Sequence, residues 1–204
     1  MGTVIFENSV SLDGFVAGPN DGPGNGMGDG GMRLFDWYAS GDTPFPLPGT
    51  DMAFQISRAS AELLQEEWGK LGAMIVGRRM FDNAEGWGGH PPGGGACFVV
   101  THSVPQEWVR EGSPFTFVTD GVESAVRQAK QVAGDRNVSI GSANIAQQCL
   151  KAGLLDEMLI NLVPVALGGG VRLFDNLDGA SYDLEIMQVV EGIGVTHLKY
   201  RVVR

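Results

Sequence analysis

The chain has 204 residues, 43% of them hydrophobic, and a formal net charge of −10 from 24 acidic and 14 basic side chains. That length suits a single α/β domain over residues 1–204, and no apolar run reaches the roughly 20 residues that span a bilayer. The acid excess argues against nucleic acid or an anionic membrane as partner. With no basic or cleavable leader before the first strand pattern, a cytoplasmic protein acting on a small molecule is expected.

Cys97 and Cys149 form no C-x-x-C pair and sit among apolar neighbours, so both read as small buried hydrophobes. His90, His102 and His197 lie far apart without ligand spacing, and no metal site is expected.

In chain order, Thr3 to Val10 reads as a first strand that continues toward Ser11-Leu-Asp-Gly-Phe-Val-Ala17. Residues 18–31 follow, half of them glycine, a length and composition that fit a lid, a binding loop or disorder. A formal G-x-G-x-x-G at Gly26, Gly28 and Gly31 is rejected, because no apolar strand feeds directly into it. Residues 32–50 read as a folded-over loop with one short helix. Ser57 to Lys70 forms a helix capped by Ser57, with Ala59, Leu63, Leu64 and Trp68 as its apolar stripe. Ala73–Val76, Ala96–Thr101 and Phe115–Thr119 are buried strands. Asp120-Gly-Val-Glu123 forms a capping box for a helix through Val132. Val138 opens a strand, then a helix starting on Gly141-Ser-Ala, a second strand from Met158 and a glycine triplet ending at Gly170. Tyr182–Val190 and Val195–Val203 alternate as an antiparallel hairpin turned by Glu191-Gly-Ile-Gly194. The sum is a mixed, mostly parallel sheet covered on both faces.

In such sheets ligands bind beyond the carboxyl ends of the strands. Four ends carry distinctive residues: Ser11-Leu-Asp-Gly14, Gly77-Arg-Arg79, Thr101-His-Ser103 and Gly141-Ser-Ala-Asn144. They offer close backbone approach, guanidinium groups and hydroxyl donors, and the start of the last helix offers bare N–H groups to an anion. Together they suit a ligand with several phosphates.

Ser11-Leu-Asp-Gly-Phe-Val-Ala17, Gly77-Arg-Arg-Met-Phe81, Val100-Thr101 and the run from Ile140-Gly-Ser-Ala to Gly170-Val-Arg-Leu-Phe174 resemble the dihydrofolate reductase-like superfamily. Within it the chain resembles the riboflavin-biosynthesis reductase domain, the C-terminal half of bifunctional deaminase-reductases. Gly153-Leu-Leu-Asp-Glu157 followed by Pro164-Val-Ala-Leu-Gly-Gly-Gly170 is the most specific stretch.

The resemblance implies a three-layer α/β/α fold with antiparallel C-terminal strands, a homodimer, and NADPH as cofactor. It implies that Gly141, Ser142, Ala143, Asn144 and Ile145 wrap the pyrophosphate, with Gly77, Arg78 and Arg79 beside the phosphates. Thr101 and His102 would meet the adenosine 2′-phosphate. Val16 and Ala17 would line the nicotinamide carboxamide, and Leu167, Gly168, Gly169 and Gly170 would close the far side. Asp13 would lie near the nicotinamide and the substrate carbon, as the candidate group that protonates or polarises the receiving atom. The chain departs from the family pattern at Ser142, where a second glycine is usual, and at Met80, where a hydroxyl residue is common.

A planar heterocycle would stack on Trp37, Phe54 or Trp68, and the expected activity is hydride transfer from NADPH to a pyrimidine- or pteridine-type substrate. The sequence carries no H-x-E and no P-C-x-x-C of a zinc deaminase. Two alternatives stay open. One is a dihydrofolate reductase, for which Asp51 or Glu62 would have to supply a carboxylate. The other is a non-catalytic NADPH- or nucleotide-binding protein.

Overall fold

A computed structural model describes residues 2–203. In chain order it contains β1 (Val4–Ser11), β2 (Phe15–Ala17), a 3-10 segment (Gly31–Ala39), β3 (Thr43–Pro46), β4 (Ala53–Ile56), α1 (Arg58–Gly69), β5 (Leu71–Gly77) and α2 (Arg78–Asn83). There follow β6 (Ala96–Val100), β7 (Phe115–Val118), α3 (Val122–Ala133), β8 (Asn137–Ile140), α4 (Ala143–Lys151), β9 (Glu157–Val163), β10 (Val171–Arg172), β11 (Leu184–Gly192) and β12 (Val195–Val202).

Eight strands form one sheet in the order β11-β12-β9-β1-β8-β5-β6-β7. The pairs β9–β1, β1–β8, β8–β5, β5–β6 and β6–β7 are parallel, while β12 runs antiparallel to β9 and β11 to β12. Parallel strands must be covered on both faces, and the side chains of β1 sort accordingly. Val4, Phe6 and Val10 enter the core shared with α3 and α4, and Ile5 packs with Leu63 of α1 and Leu159 of β9. The arrangement is the mixed, mostly parallel, three-layer one expected from the sequence.

Ser57 caps α1 as expected, its hydroxyl accepting from the Ser60 N–H at 3.2 Å. The Asp120 capping box does not form. Gly121 takes the cap position with φ 96° and offers no side chain to the first turn of α3. β3 of the β3–β4 hairpin lies within residues 32–50, where the sequence suggested a folded-over loop with one short helix, and β4 lies just beyond them. Its prolines, Pro44 and Pro46, mask a two-stranded ribbon whose inward Phe45 and Ile56 are buried.

The glycine-rich stretch is ordered. Gly22 and Asn25 exchange backbone hydrogen bonds, Asn20 and Asn25 both donate to the Asp29 carboxylate, and Arg79 clasps Asp21. A side chain at Gly28 would run into the Gly18 carbonyl, 2.2 Å from the Cβ position. Cys97 and Cys149 are buried and free, and burial pushes both thiols up to about 12, so they serve as packing groups.

Candidate active site

The central strands β1, β8, β5, β6 and β7 end along one edge of the sheet, and a cleft of about 1160 Å³ opens there. One half is built from the turns after β5, β6, β7 and β8; the other lies under the 3-10 segment, β4 and α1. Gly77, Arg78, Arg79, Thr101, His102, Gly141, Ser142, Ala143, Asn144 and Ile145 all border it, as do Val16, Ala17 and Gly170. The structure thus brings most of the expected cofactor residues to one surface.

The α4 turn shows why serine is tolerated at 142. The Ser142 hydroxyl makes no cap to its own helix. It accepts from the Gly77 N–H at 2.9 Å and donates to Met80 Sδ at 3.3 Å, stitching the two turns together. The first-turn N–H groups of α4 therefore carry no side-chain cap. They form, with the positive end of the helix dipole, an anion-compatible surface. The two sequence departures, Ser142 and Met80, are partners of one another.

The guanidinium groups are anchored rather than free. Arg78 Nε donates to both Asp82 oxygens at 2.7 and 2.9 Å, and Nη1 donates to the Ser103 carbonyl at 2.9 Å. Arg79 grips Asp21 through Nε at 2.7 Å and Nη2 at 2.6 Å. Among the described residues these bonds leave Nη2 of Arg78 and Nη1 of Arg79 for a ligand. The Thr101 hydroxyl donates to the Ser103 carbonyl at 2.8 Å, shaping the turn that exposes His102.

Three residues expected at the far wall do not border the cleft. Leu167 packs into the aromatic cluster, and Gly168 and Gly169 lie outside the lining. The reason is Asp13, which also stands off the lining. Its carboxylate accepts from the Ser11 hydroxyl at 2.6 Å and from the Leu167 and Gly168 N–H groups at 3.1 and 2.7 Å. The Ser11 hydroxyl above all, then these backbone donors, hold its pKa down to about 2. At neutral pH Asp13 is an acceptor that latches the turn after β9 against β1. Gly170 is the member of the triplet that reaches the cleft. There the backbone crosses β2 so closely that a Cβ would lie 2.0 Å from the Ala17 carbonyl oxygen.

In the other half, Phe54 and Trp68 border the cleft as expected, joined by Phe35 and Tyr38, with Tyr38 stacked on Phe54 at 4.1 Å between ring centroids. Trp37 does not; it is 1% exposed and spends its indole N–H on the Ser9 hydroxyl at 3.1 Å. Asp51 and Glu62 also lie off the lining, and Glu62 is exposed and paired with Arg58.

A carboxyl that sequence reading passed over borders the cleft instead. Glu7, in the middle of β1, receives the Trp68 indole N–H at 3.0 Å and lies beside Asn161. Burial raises its pKa to about 7, with Glu67 adding to the rise and the two hydrogen bonds opposing it. The signal was available: a glutamate inside Val4-Ile-Phe-Glu-Asn-Ser-Val10 is a charged residue in an otherwise buried strand. Among the described residues no group of His, Cys, Asp or Glu is arranged to hold a metal ion. No helix among them is long and apolar enough to cross a membrane.

Comparison with known proteins agrees with this architecture. The Shewanella sp. PV-4 crystal structure described as a riboflavin biosynthesis protein superposes with TM-score 0.69, at 21% identity and 99% coverage of both chains. The Enterococcus faecalis dihydrofolate reductase complexed with NADP(H) superposes with TM-score 0.52, at 13% identity over 100% of this chain and 98% of that one. The fold is therefore dihydrofolate reductase-like. Residues 2–198 match the RibD C-terminal domain, and the chain belongs to that family. It is also 32% identical over 81 residues to the Bacillus subtilis (strain 168) protein YwjB, a match spanning 40% of this chain and 45% of that protein.

Proposed function

We propose that this chain is an NADPH-dependent oxidoreductase that reduces a pyrimidine- or pteridine-type heterocycle, as in the riboflavin-pathway reduction of 5-amino-6-(5-phosphoribosylamino)uracil. The observation that carries this reading is the continuity of one cleft. It runs from the uncapped start of α4, past Arg78 and Arg79, to the aromatic walls formed by Tyr38, Phe54 and Trp68.

The residues present fit the cofactor. In this reading the N–H groups of Ala143, Asn144 and Ile145 receive the pyrophosphate, and Gly141 lets the backbone come close. Arg78 and Arg79 add one unpartnered guanidinium nitrogen each, while Thr101 and His102 lie where an adenosine 2′-phosphate would be read. Val16 and Ala17, buried on β2, present backbone to the nicotinamide amide. When bound, the dihydronicotinamide supplies a hydride. The protein supplies orientation and a water-poor aromatic wall. Asp13, ionised and fully engaged, positions the turn that ends at Gly170.

The test is binding and turnover with the purified chain. NADPH is expected to raise the melting temperature more than NADH does at equal concentration. Arg78→Ala, which releases the Ser103 carbonyl and so loosens the turn that carries Thr101 and His102, is expected to narrow that difference. NADPH oxidation should then depend on an added heterocycle, with 5-amino-6-(5-phosphoribosylamino)uracil and dihydrofolate as the first two probes. No stabilisation by NADPH would overturn the reading. NADPH binding without consumption on any pyrimidine or pteridine would leave the non-catalytic alternative standing. The homodimer and the cytoplasmic location belong to the same proposal.

A further inference from the structure

The aromatic half of the cleft contains one acidic group whose surroundings are built to hold it. Glu7 extends from β1 toward α1, where the Trp68 indole N–H donates to Oε1 at 3.0 Å. Asn161 of β9 supplies the second donor. The nearest cation, Lys199 of β12, is committed elsewhere: its ammonium pairs with Glu67 at 2.9 Å and Glu157 at 3.1 Å. Among the described residues Glu7 therefore has two neutral donors and forms no ion pair.

The orientation of Asn161 is fixed from behind. Its Oδ1 lies 2.7 Å from Nδ1 of His197, whose Nε2 lies 2.8 Å from the Ser60 hydroxyl. Ser60 in turn receives the Ser57 hydroxyl at 2.9 Å. His197 is 1% exposed, and burial lowers its pKa to about 4, so the ring is neutral. A neutral ring flanked by a carboxamide oxygen and a hydroxyl must carry its proton on Nδ1 and accept on Nε2. That tautomer commits Asn161 Oδ1 to the histidine and turns the Asn161 amide protons toward Glu7. Ser60 and His197, behind the cleft wall, thus orient Asn161, which borders the cleft beside the carboxyl.

We propose that Glu7 is the proton donor of the reduction, acting on a flat heterocycle whose reducible C=N or C=O bond lies against β1 beneath Tyr38, Phe54 and Trp68. The inference rests on the reductase reading above. The substrate carbon receives hydride with its electron pair from the dihydronicotinamide, and the C=N or C=O π bond is lost. The Glu7 O–H bond breaks as a new N–H or O–H bond forms on the substrate heteroatom. The carboxylate left behind is reprotonated from water. The groups that set its proton affinity are Trp68 and Glu67 from α1, Asn161 from β9 and Lys199 from β12; the half-buried Tyr38 of the 3-10 segment faces the same carboxyl, which raises the Tyr38 pKa in turn. Desolvation dominates them and brings the carboxyl to about 7, where acid and base forms are both populated at neutral pH.

The experiment compares the wild type with Glu7→Gln and Glu7→Asp. Carbon-13 NMR of the glutamate carboxyl groups, with the Glu7 signal identified by its loss in Glu7→Gln, is expected to give a midpoint near 7. A midpoint in the ordinary range near 4.3 overturns the proposal. With NADPH and either probe heterocycle, Glu7→Gln is expected to lose about 10²-fold or more in kcat and to abolish the decline in kcat/KM above that midpoint. Glu7→Asp is expected to restore part of the rate, and the Kd for NADPH is expected to stay unchanged in both variants. A Glu7→Gln enzyme of near wild-type kcat and pH profile, still binding NADPH, overturns the assignment to Glu7 alone. Failure of the wild type to bind NADPH overturns the reductase reading. Should the wild type consume neither probe, the NMR midpoint decides for or against a protonated Glu7.

Discussion

At the residue scale, two carboxyls of β1 and its following turn have opposite environments and so opposite uses. Asp13 lies at the surface among hydrogen-bond donors that lower its pKa; Glu7 lies against Trp68 and Tyr38 in a wall that raises it. The sign of the Glu7 shift sets a stability prediction. Its folded-state value of about 7 exceeds the ordinary 4.5, so the folded protein binds this proton more tightly than the unfolded chain does. Stability linked to Glu7 is therefore complete below about 4.5 and is lost as pH rises toward 7. Glu7→Gln removes the titration. The variant should be more stable than wild type above about pH 4.5, by a margin that grows to order 3 kcal/mol at most above pH 7. Thermal melts across that range check it, and a pH-independent offset would contradict the burial argument. Asp13 is legible in the sequence because it sits inside a recurring motif at a strand end. Its bonds to Leu167 and Gly168 join residues more than 150 positions apart, which no local pattern reveals.

At the element scale, the strand-end turns were legible because glycine, arginine and small residues follow apolar runs. Their mutual geometry was not. The Ser142–Gly77–Met80 contact links β8 to β5 across 65 residues, and it turns two apparent departures into one interlocked feature. The β3–β4 ribbon was hidden by its prolines, and the order within residues 18–31 depends on Arg79, which belongs to a different element. Gly170 marks the closest backbone crossing at the cleft. With φ at 126° and a Cβ position 2.0 Å from the Ala17 carbonyl, Gly170→Ala should force β10 off β2. The expected cost is about 3 kcal/mol or more, with weakened NADPH binding. Gly168→Ala is the control: φ is 75° but no atom lies within 4 Å of its Cβ position, so only the smaller backbone strain of about 1 kcal/mol is expected. Equal melting temperatures for the two variants would contradict the crossing.

At the scale of the whole molecule, the parallel core and the antiparallel extension do different jobs. The core strands aim their carboxyl ends into the cleft, whereas β11 leaves an edge nine residues long. Ile186, Val189 and Ile193 on or beside it are 66%, 56% and 57% exposed. Such an apolar edge calls for a cover, and a second copy of this chain is the proposed one. Light scattering should give twice the chain mass of 21.7 kDa, and Val189→Asp should halve it. A monomeric wild type would contradict the dimer and leave the cleft untouched.

A crystal structure of the chain with NADPH decides whether the cleft at the strand ends is an NADPH site. The pyrophosphate is expected over the N–H groups of residues 143–145 and the nicotinamide beside Val16 and Ala17, its reactive face toward Glu7. Saturating NADPH that leaves residues 141–145 without ligand density, or that binds elsewhere on the chain, would contradict it.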